Sequence, residues 1–249
     1  MYRGFNLSVE EGLFESYAED GQPDSDAQQA RVNSLLSSLK DLKGRLIASR
    51  LTADWFPNIP CHVFISHAHK DSELAVQLAG FLKYHFKLDS FIDSSVWGYS
   101  DDLLRIIDDE YCWQKDSGTY NYQQRNRSTS HVYMMLSTAL AKMINQCECA
   151  IFLNTPASIS SKGYIHGDVT ESPWIYSEIA MTSLIQMRDP SEHRVLRKSL
   201  VRADEAMQVK YDVDLGHLTT LSRRELEVWV NRAKGVKGVA ALDVLYEMI

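Results

Sequence analysis

Cys61-His-Val-Phe-Ile-Ser-His-Ala-His-Lys-Asp71 is the stretch on which the reading of this chain turns. Val63-Phe-Ile is β-branched and aromatic, the composition of a short strand, and it ends in a polar run from Ser66 to Asp71. From Glu73 to Phe86, Leu74, Leu78, Phe81 and Leu82 recur at helical spacing. Strand, loop and amphipathic helix in that order make the first half of a βαβ unit.

The same alternation continues downstream. Ser90-Phe-Ile-Asp93 reads as a second short strand, and Asp101 to Tyr111 as a helix with Leu103, Leu104, Ile106 and Ile107 on its apolar face. Trp113 to Arg127 is polar and aromatic with little periodicity, which predicts a loop. Ser130 to Cys147 is a helix candidate through Met134, Met135, Ala139, Leu140, Met143 and Ile144. Cys149-Ala-Ile-Phe-Leu153 is apolar without alternation, as a strand covered on both faces must be. Asn154-Thr-Pro156 ends it, and a loop runs to Pro173, which opens a helix over Trp174 to Met187. Val209 to Leu215 alternates and predicts a late strand. Ser222 to Ala233 starts with Ser222 and Glu225 in capping-box spacing.

Upstream, Ala18 to Asp26 is acidic and turn-rich, and Asp26 is placed to cap a helix from about Ala27 to Leu51. Val32, Leu35, Leu36, Leu39, Leu42, Leu46 and Ile47 form its stripe. The reading divides the chain into an acidic, helical extension over 1–60, a main domain over 61–235 and a C-terminal helical segment over 236–249. The expected fold class is α/β: a flavodoxin-like parallel sheet with helices on both faces. Ligands of such sheets bind beyond the carboxyl ends of the strands. That rule points to Ser66–Asp71, Asp93–Ser100 and Asn154–Glu178.

Composition narrows the function classes. The 249 residues hold 26 basic and 33 acidic side chains, a net charge of −7, and 45% are apolar. That balance excludes a chain disordered or fibrous in bulk, and it has no general attraction for nucleic acid. No apolar run approaches the ~18 residues of a membrane span. Met-Tyr-Arg-Gly-Phe-Asn lacks the apolar core of a signal peptide, so a cytoplasmic location is expected. Four cysteines are too few for a disulfide scaffold of this length.

Four groups of residues could carry chemistry. Trp174 and Glu178 lie one helical turn apart on one face. A carboxylate at the ligand edge can stabilise a developing cation, and an amphipathic core helix would give the same spacing. His67-Ala-His69-Lys-Asp71 has the spacing with which metallo-β-lactamase-like hydrolases begin a zinc site, although Ser72 stands where that motif carries another histidine. Cys147 and Cys149 suit buried small apolar positions better than a metal. Asp93, Trp97 and Tyr99 combine an acid with aromatics in a turn-like segment, able to stack on a base or a partner.

Taken in order, these segments resemble TIR domains. Val63-Phe-Ile-Ser-His-Ala-His-Lys-Asp71 is similar to their opening strand and loop, Phe91-Ile-Asp93 with Ser94–Ser100 to the second strand and BB loop, and Ala150–Pro156 to the third strand. Pro173-Trp-Ile-Tyr-Ser-Glu178 falls where the family's Trp-x-x-x-Glu helix begins. The resemblance covers about residues 61–235. The long stretches at 94–148 and 154–173 resemble bacterial stand-alone TIR proteins, including the signal-making component of Thoeris anti-phage systems. The resemblance implies cleavage of the nicotinamide–ribose bond of NAD by Glu178, with an ADP-ribose-derived signal, cyclic or conjugated, as product. It implies that Phe64, Ser66 and His67 line the nicotinamide side, that Asp93, Trp97 and Tyr99 close the pocket or meet a neighbouring protomer, and that Trp174 braces the helix. NAD is then a substrate, with no cofactor or metal. The expected partners are other copies of the TIR domain, a downstream effector and a phage-derived activator, with no nucleic acid and no membrane. The alternatives are a non-catalytic TIR interaction module, a nucleoside deoxyribosyltransferase-like enzyme or a metallo-hydrolase.

Overall fold

The structure, a computed structural model, describes residues 1–9, 12–22, 40, 46–92, 94–158, 169–170, 172–195, 211–212 and 215–249. In chain order the elements are β1 (Arg3–Ser8), α1 (Ala48–Trp55), β2 (Val63–Ser66), α2 (Ser72–Phe86), β3 (Ser90–Ile92) and α3 (Ser94–Tyr111). A hairpin of β4 (Trp113–Gln114) and β5 (Thr119–Tyr120) leads to α4 (Tyr122–Gln146) and β6 (Cys149–Asn154). There follow β7 (Val169–Thr170), α5 (Pro173–Leu184), α6 (Pro190–Val195), β8 (Tyr211–Asp212), β9 (Thr219–Leu221), α7 (Arg223–Arg232) and α8 (Val239–Met248).

Five strands form one sheet in the order β3-β2-β6-β1-β9, and every neighbouring pair is parallel. A flavodoxin-like sheet runs 2-1-3-4-5. The same five places are filled here, with the fourth taken by β1 from the beginning of the chain. Residues 3–8 are therefore a central strand, with Phe5 opposite both Ile151 and Thr219. This corrects the expectation of a separate extension over residues 1–60: a six-residue strand with only Phe5 and Leu7 turned into one core layer is too brief a pattern to stand out.

Alternation along the strands sorts the apolar side chains into two layers. Phe5, Leu7, Val63, Ile65, Ile92, Ile151 and Leu153 meet α2, α7 and α8 on one face. Phe64, Phe91, Ala150 and Phe152 meet α1, α3, α4 and α5 on the other. The C-terminal segment belongs to this domain, since Ala241, Leu242 and Leu245 are buried and the Trp229 indole donates to the Ala241 carbonyl at 2.7 Å.

Several boundaries move for identifiable reasons. Helix α4 begins eight residues before Ser130, within the stretch read as a loop. Its first turns have no apolar stripe and are held by polar bonds instead. Asn121 accepts from the Gln124 amide at 3.0 Å, and Arg125 and Ser128 both bond the buried Asp108 of α3. Of the expected strand 209–215, Tyr211, Asp212 and Leu215 are described; Tyr211 and Asp212 pair with β7 away from the main sheet, one of whose edge strands is β9. Most of the helix expected over 27–51 lies outside the described residues. Lys40 and Leu46 form an isolated antiparallel bridge, and α1 continues to Trp55.

The helical residues 18–22 cross α2 so closely that a methyl group on Gly80 would lie 1.9 Å from the Tyr17 carbonyl oxygen, and one on Gly21 2.0 Å from that of Val76. Backbone cannot yield as a side-chain tip does. Gly80→Ala is expected to lower the unfolding free energy by about 1–3 kcal/mol in a urea titration. An unchanged midpoint would show that this crossing does not exist.

At the amino ends of the strands, Arg194 holds the buried Glu148 through two bonds of 2.9 and 3.2 Å and reaches Asp243 of α8 at 2.8 Å. The neighbouring His193 is buried, and its pKa is lowered to about 4, chiefly by burial and then by the N-terminal ammonium and Arg188. A histidine kept neutral by the fold contributes stability that is complete above its ordinary value of about 6.5 and is lost as the pH falls toward 4. His193→Gln should therefore flatten the decline in unfolding free energy between those pH values. An identical slope in both proteins would assign the decline to other groups.

Candidate functional site

The chain leaves β2 for β3 on one side and returns to β6 on the other, so the carboxyl ends of β2 and β6 form the topological switch point of the sheet. Ser66 is the last residue of β2, opposite Phe152 of β6. Phe64, two residues earlier on the same face, is fully buried and stacked on Phe91 with 5.7 Å between ring centres. Ser66 thus ends a row of core side chains and places a hydroxyl where that core meets the strand ends.

Helix α5 approaches the same point. Ser172 caps it by accepting from the Ile175 amide at 3.3 Å, and Pro173 occupies its first turn. Ile175 and Ile179 are buried in the layer shared with Phe64 and Phe152, which turns Glu178 toward the sheet. Glu178 has no exposed surface. The Ser66 hydroxyl, itself 1% exposed, donates a hydrogen bond to Glu178 Oε2. A carboxyl taken fully out of water is costly, and a directed hydroxyl donor offsets part of that cost while fixing the group's orientation.

A hydroxyl network joins the loops around this pair. Thr155 donates to Asp71 at 2.6 Å, which links the loop after β6 to the start of α2. Ser158 donates to the Leu153 carbonyl at 2.7 Å and accepts from the Thr155 amide at 2.9 Å. Thr170 donates to the Ser158 carbonyl at 2.8 Å and accepts from the Ser172 amide at 3.2 Å. These bonds connect the end of β6 to the cap of α5.

The structure brings together Ser66, Glu178 and, directly after β2, the buried His67. Phe64 supports them from the core. Trp174 is half-buried and packs against Tyr133 of α4 with ring centres 5.5 Å apart, so it anchors α5. Asp93 and the side chains of Trp97 and Tyr99 lie outside the described residues. The backbone at 94–100 is the start of α3, which replaces the turn-like loop expected there. Among the described residues, no group of three or more His, Cys, Asp and Glu side chains is arranged to hold a metal ion, and His67 and His69 belong to no such group.

Sequence reasoning missed Asn6 because it lay in the supposed extension. Asn6 of β1 is opposite Phe152 on the face that carries Ser66, about two strand spacings or 9.6 Å away. Its buried Oδ1 has no hydrogen-bond partner among the described residues. The only sequence signal for it was the Phe5–Leu7 alternation.

This fold and site define a parallel α/β protein with a carboxylate–hydroxyl pair buried at its switch point. No family model, no curated protein and no solved structure matches the chain. No helix among the described residues is long and apolar enough to cross a membrane.

Removing the Ser66 hydroxyl takes away a donor to a buried carboxyl. Ser66→Ala is expected to lower the unfolding free energy by about 1–3 kcal/mol. Chemical denaturation checks this, and a change within about 0.5 kcal/mol, typical of surface substitutions, would show that the bond does not hold Glu178.

Proposed function

We propose that this chain is a TIR-type enzyme that cleaves the nicotinamide–ribose bond of NAD and releases an ADP-ribose-derived signal, cyclic or conjugated, in bacterial anti-phage defence. The observation that carries this reading is the position of Glu178, held by Ser66 at the switch point of a parallel sheet. NAD already has a cationic leaving group, so bond cleavage needs little general-acid help. Positive charge grows on the ribose as nicotinamide departs, as in glycoside hydrolysis. A carboxylate fixed beside that ring stabilises the charge and accepts hydrogen bonds from the ribose hydroxyls. Ser66 holds the carboxylate in one orientation, His67 lines the nicotinamide side, and Trp174 keeps α5 in place. The proposal includes action in the cytoplasm, with NAD as substrate and no resident metal or cofactor.

With Glu178 fully covered in the isolated chain, substrate reaches it only after the surrounding segments move. The proposal therefore includes activation by self-association of the domain, a phage-derived trigger and a downstream effector that senses the product. The same burial favours a second reading, in which the Ser66–Glu178 pair is an internal strut of a non-catalytic interaction module.

Incubation with NAD separates the two. Nicotinamide release is measured for wild type and Glu178→Gln, in buffer and in lysate from infected cells, with melting temperatures recorded beside it. The enzymatic reading expects release by wild type and a loss of at least about 100-fold in a variant that melts like wild type. Undiminished NAD with both proteins in both media would defeat it.

A further inference from the structure

At the amino ends of β2 and β6, the sulfur atoms of Cys61 and Cys147 lie 2.8 Å apart, and both residues are thiols. The backbone sets this approach. The amides of Glu148 and Cys149 both donate to the His62 carbonyl, at 3.1 and 3.2 Å. The β2–β6 register pairs Val63 with Cys149, and continued two residues back it sets Cys61 opposite Cys147. Neighbouring strands run about 4.8 Å apart, inside the roughly 4.4–6.8 Å between Cα atoms that a disulfide spans.

The two thiols differ in access. Cys147 has no exposed surface, whereas Cys61 is half-buried and lines a cleft of about 370 Å³ with His62, Glu148, His193 and Arg194. The remaining two cysteines are poorer targets. Cys112 and Cys149 are buried, burial pushes both thiols up, and Cys112 is further tied to Asp108 at 3.4 Å.

We propose that Cys61 and Cys147 form a reversible oxidation site, at which a peroxide reaching the cleft converts the two thiols into a disulfide across the amino ends of β2 and β6. The Cys61 thiolate attacks the peroxide oxygen, the O–O bond breaks, and a sulfenic acid forms as hydroxide leaves and takes up a proton to become water. Cys147 then attacks the Cys61 sulfur, the S–O bond breaks, and a second water leaves with the Cys147 proton. Two thiols and one peroxide become one disulfide and two waters. A low-molecular-weight dithiol reverses the step by exchange. The bond joins residues 86 apart and clamps the two strands whose carboxyl ends form the switch point. The inference is independent of the proposed NAD chemistry, since it rests on the other end of the sheet.

The test treats the full chain with hydrogen peroxide, blocks remaining thiols by alkylation, and maps peptides by mass spectrometry without reduction. The expected result is one cross-link between the Cys61 and Cys147 peptides, with Cys112 and Cys149 alkylated. Closing a loop of this length should raise the melting temperature by at least about 5 °C, reversed by dithiothreitol. Cys61→Ser, at a half-buried position, should lose both the cross-link and the rise. Oxidation that stops at a sulfinate on Cys61, full alkylation of both thiols after peroxide, a link through Cys112 or Cys149, or a rise that persists in Cys61→Ser would overturn the proposal.

Discussion

A carboxyl with no exposed surface is among the least comfortable groups a fold can enclose, and this one encloses Glu178 at the point where its chain path reverses. The Ser66 hydroxyl makes that enclosure tolerable. The rest of the upper edge of the sheet is arranged around the pair. Ile175 and Ile179 seat the helix, Trp174 pins its first turn to α4, and the Thr155–Ser158–Thr170 network fixes the loops that lead into it. On the proposed reading, a hydroxyl and a carboxyl that hold each other in a preset orientation would stabilise charge that appears only during bond breaking.

Connectivity gives this site its location. With β1 inserted between β6 and β9, the sheet places β6 at its centre, covered on both sides, and the reversal falls between β6 and β2. The strand that fills the fourth place comes from the beginning of the chain. The α/β arrangement therefore depends on a long-range pairing made between residues 3–8 and residues 149–154.

The legible parts of the fold were those with strong local periodicity. Val63–Ser66, Cys149–Leu153, the helix after Asp71 and the capping box at Ser222 and Glu225 all carry their structure in a few adjacent side chains. The illegible parts owe their structure to distant partners. β1 is a strand because two parallel neighbours accept it, and the first turns of α4 are helical because Asp108 binds Arg125 and Ser128. The site divides the same way. Ser66 was readable because it ends a patterned strand, whereas Glu178, midway along α5, was singled out by its spacing to Trp174 and by the resemblance to the Trp-x-x-x-Glu helix. The Thr155–Asp71 bond and Asn6 were not, since hydroxyls and amides in short segments have no period that announces a role.

The most direct test of the central claim is a crystal structure of the chain in its self-associated, NAD-cleaving form with a non-hydrolysable carba-analogue of NAD. The account predicts the nicotinamide-bearing ring within hydrogen-bond reach of the Glu178 carboxyl, at the carboxyl ends of β2 and β6. In the self-associated form that releases nicotinamide, an analogue bound elsewhere, or one that fails to bind while Glu178 stays sealed against Ser66, would contradict it.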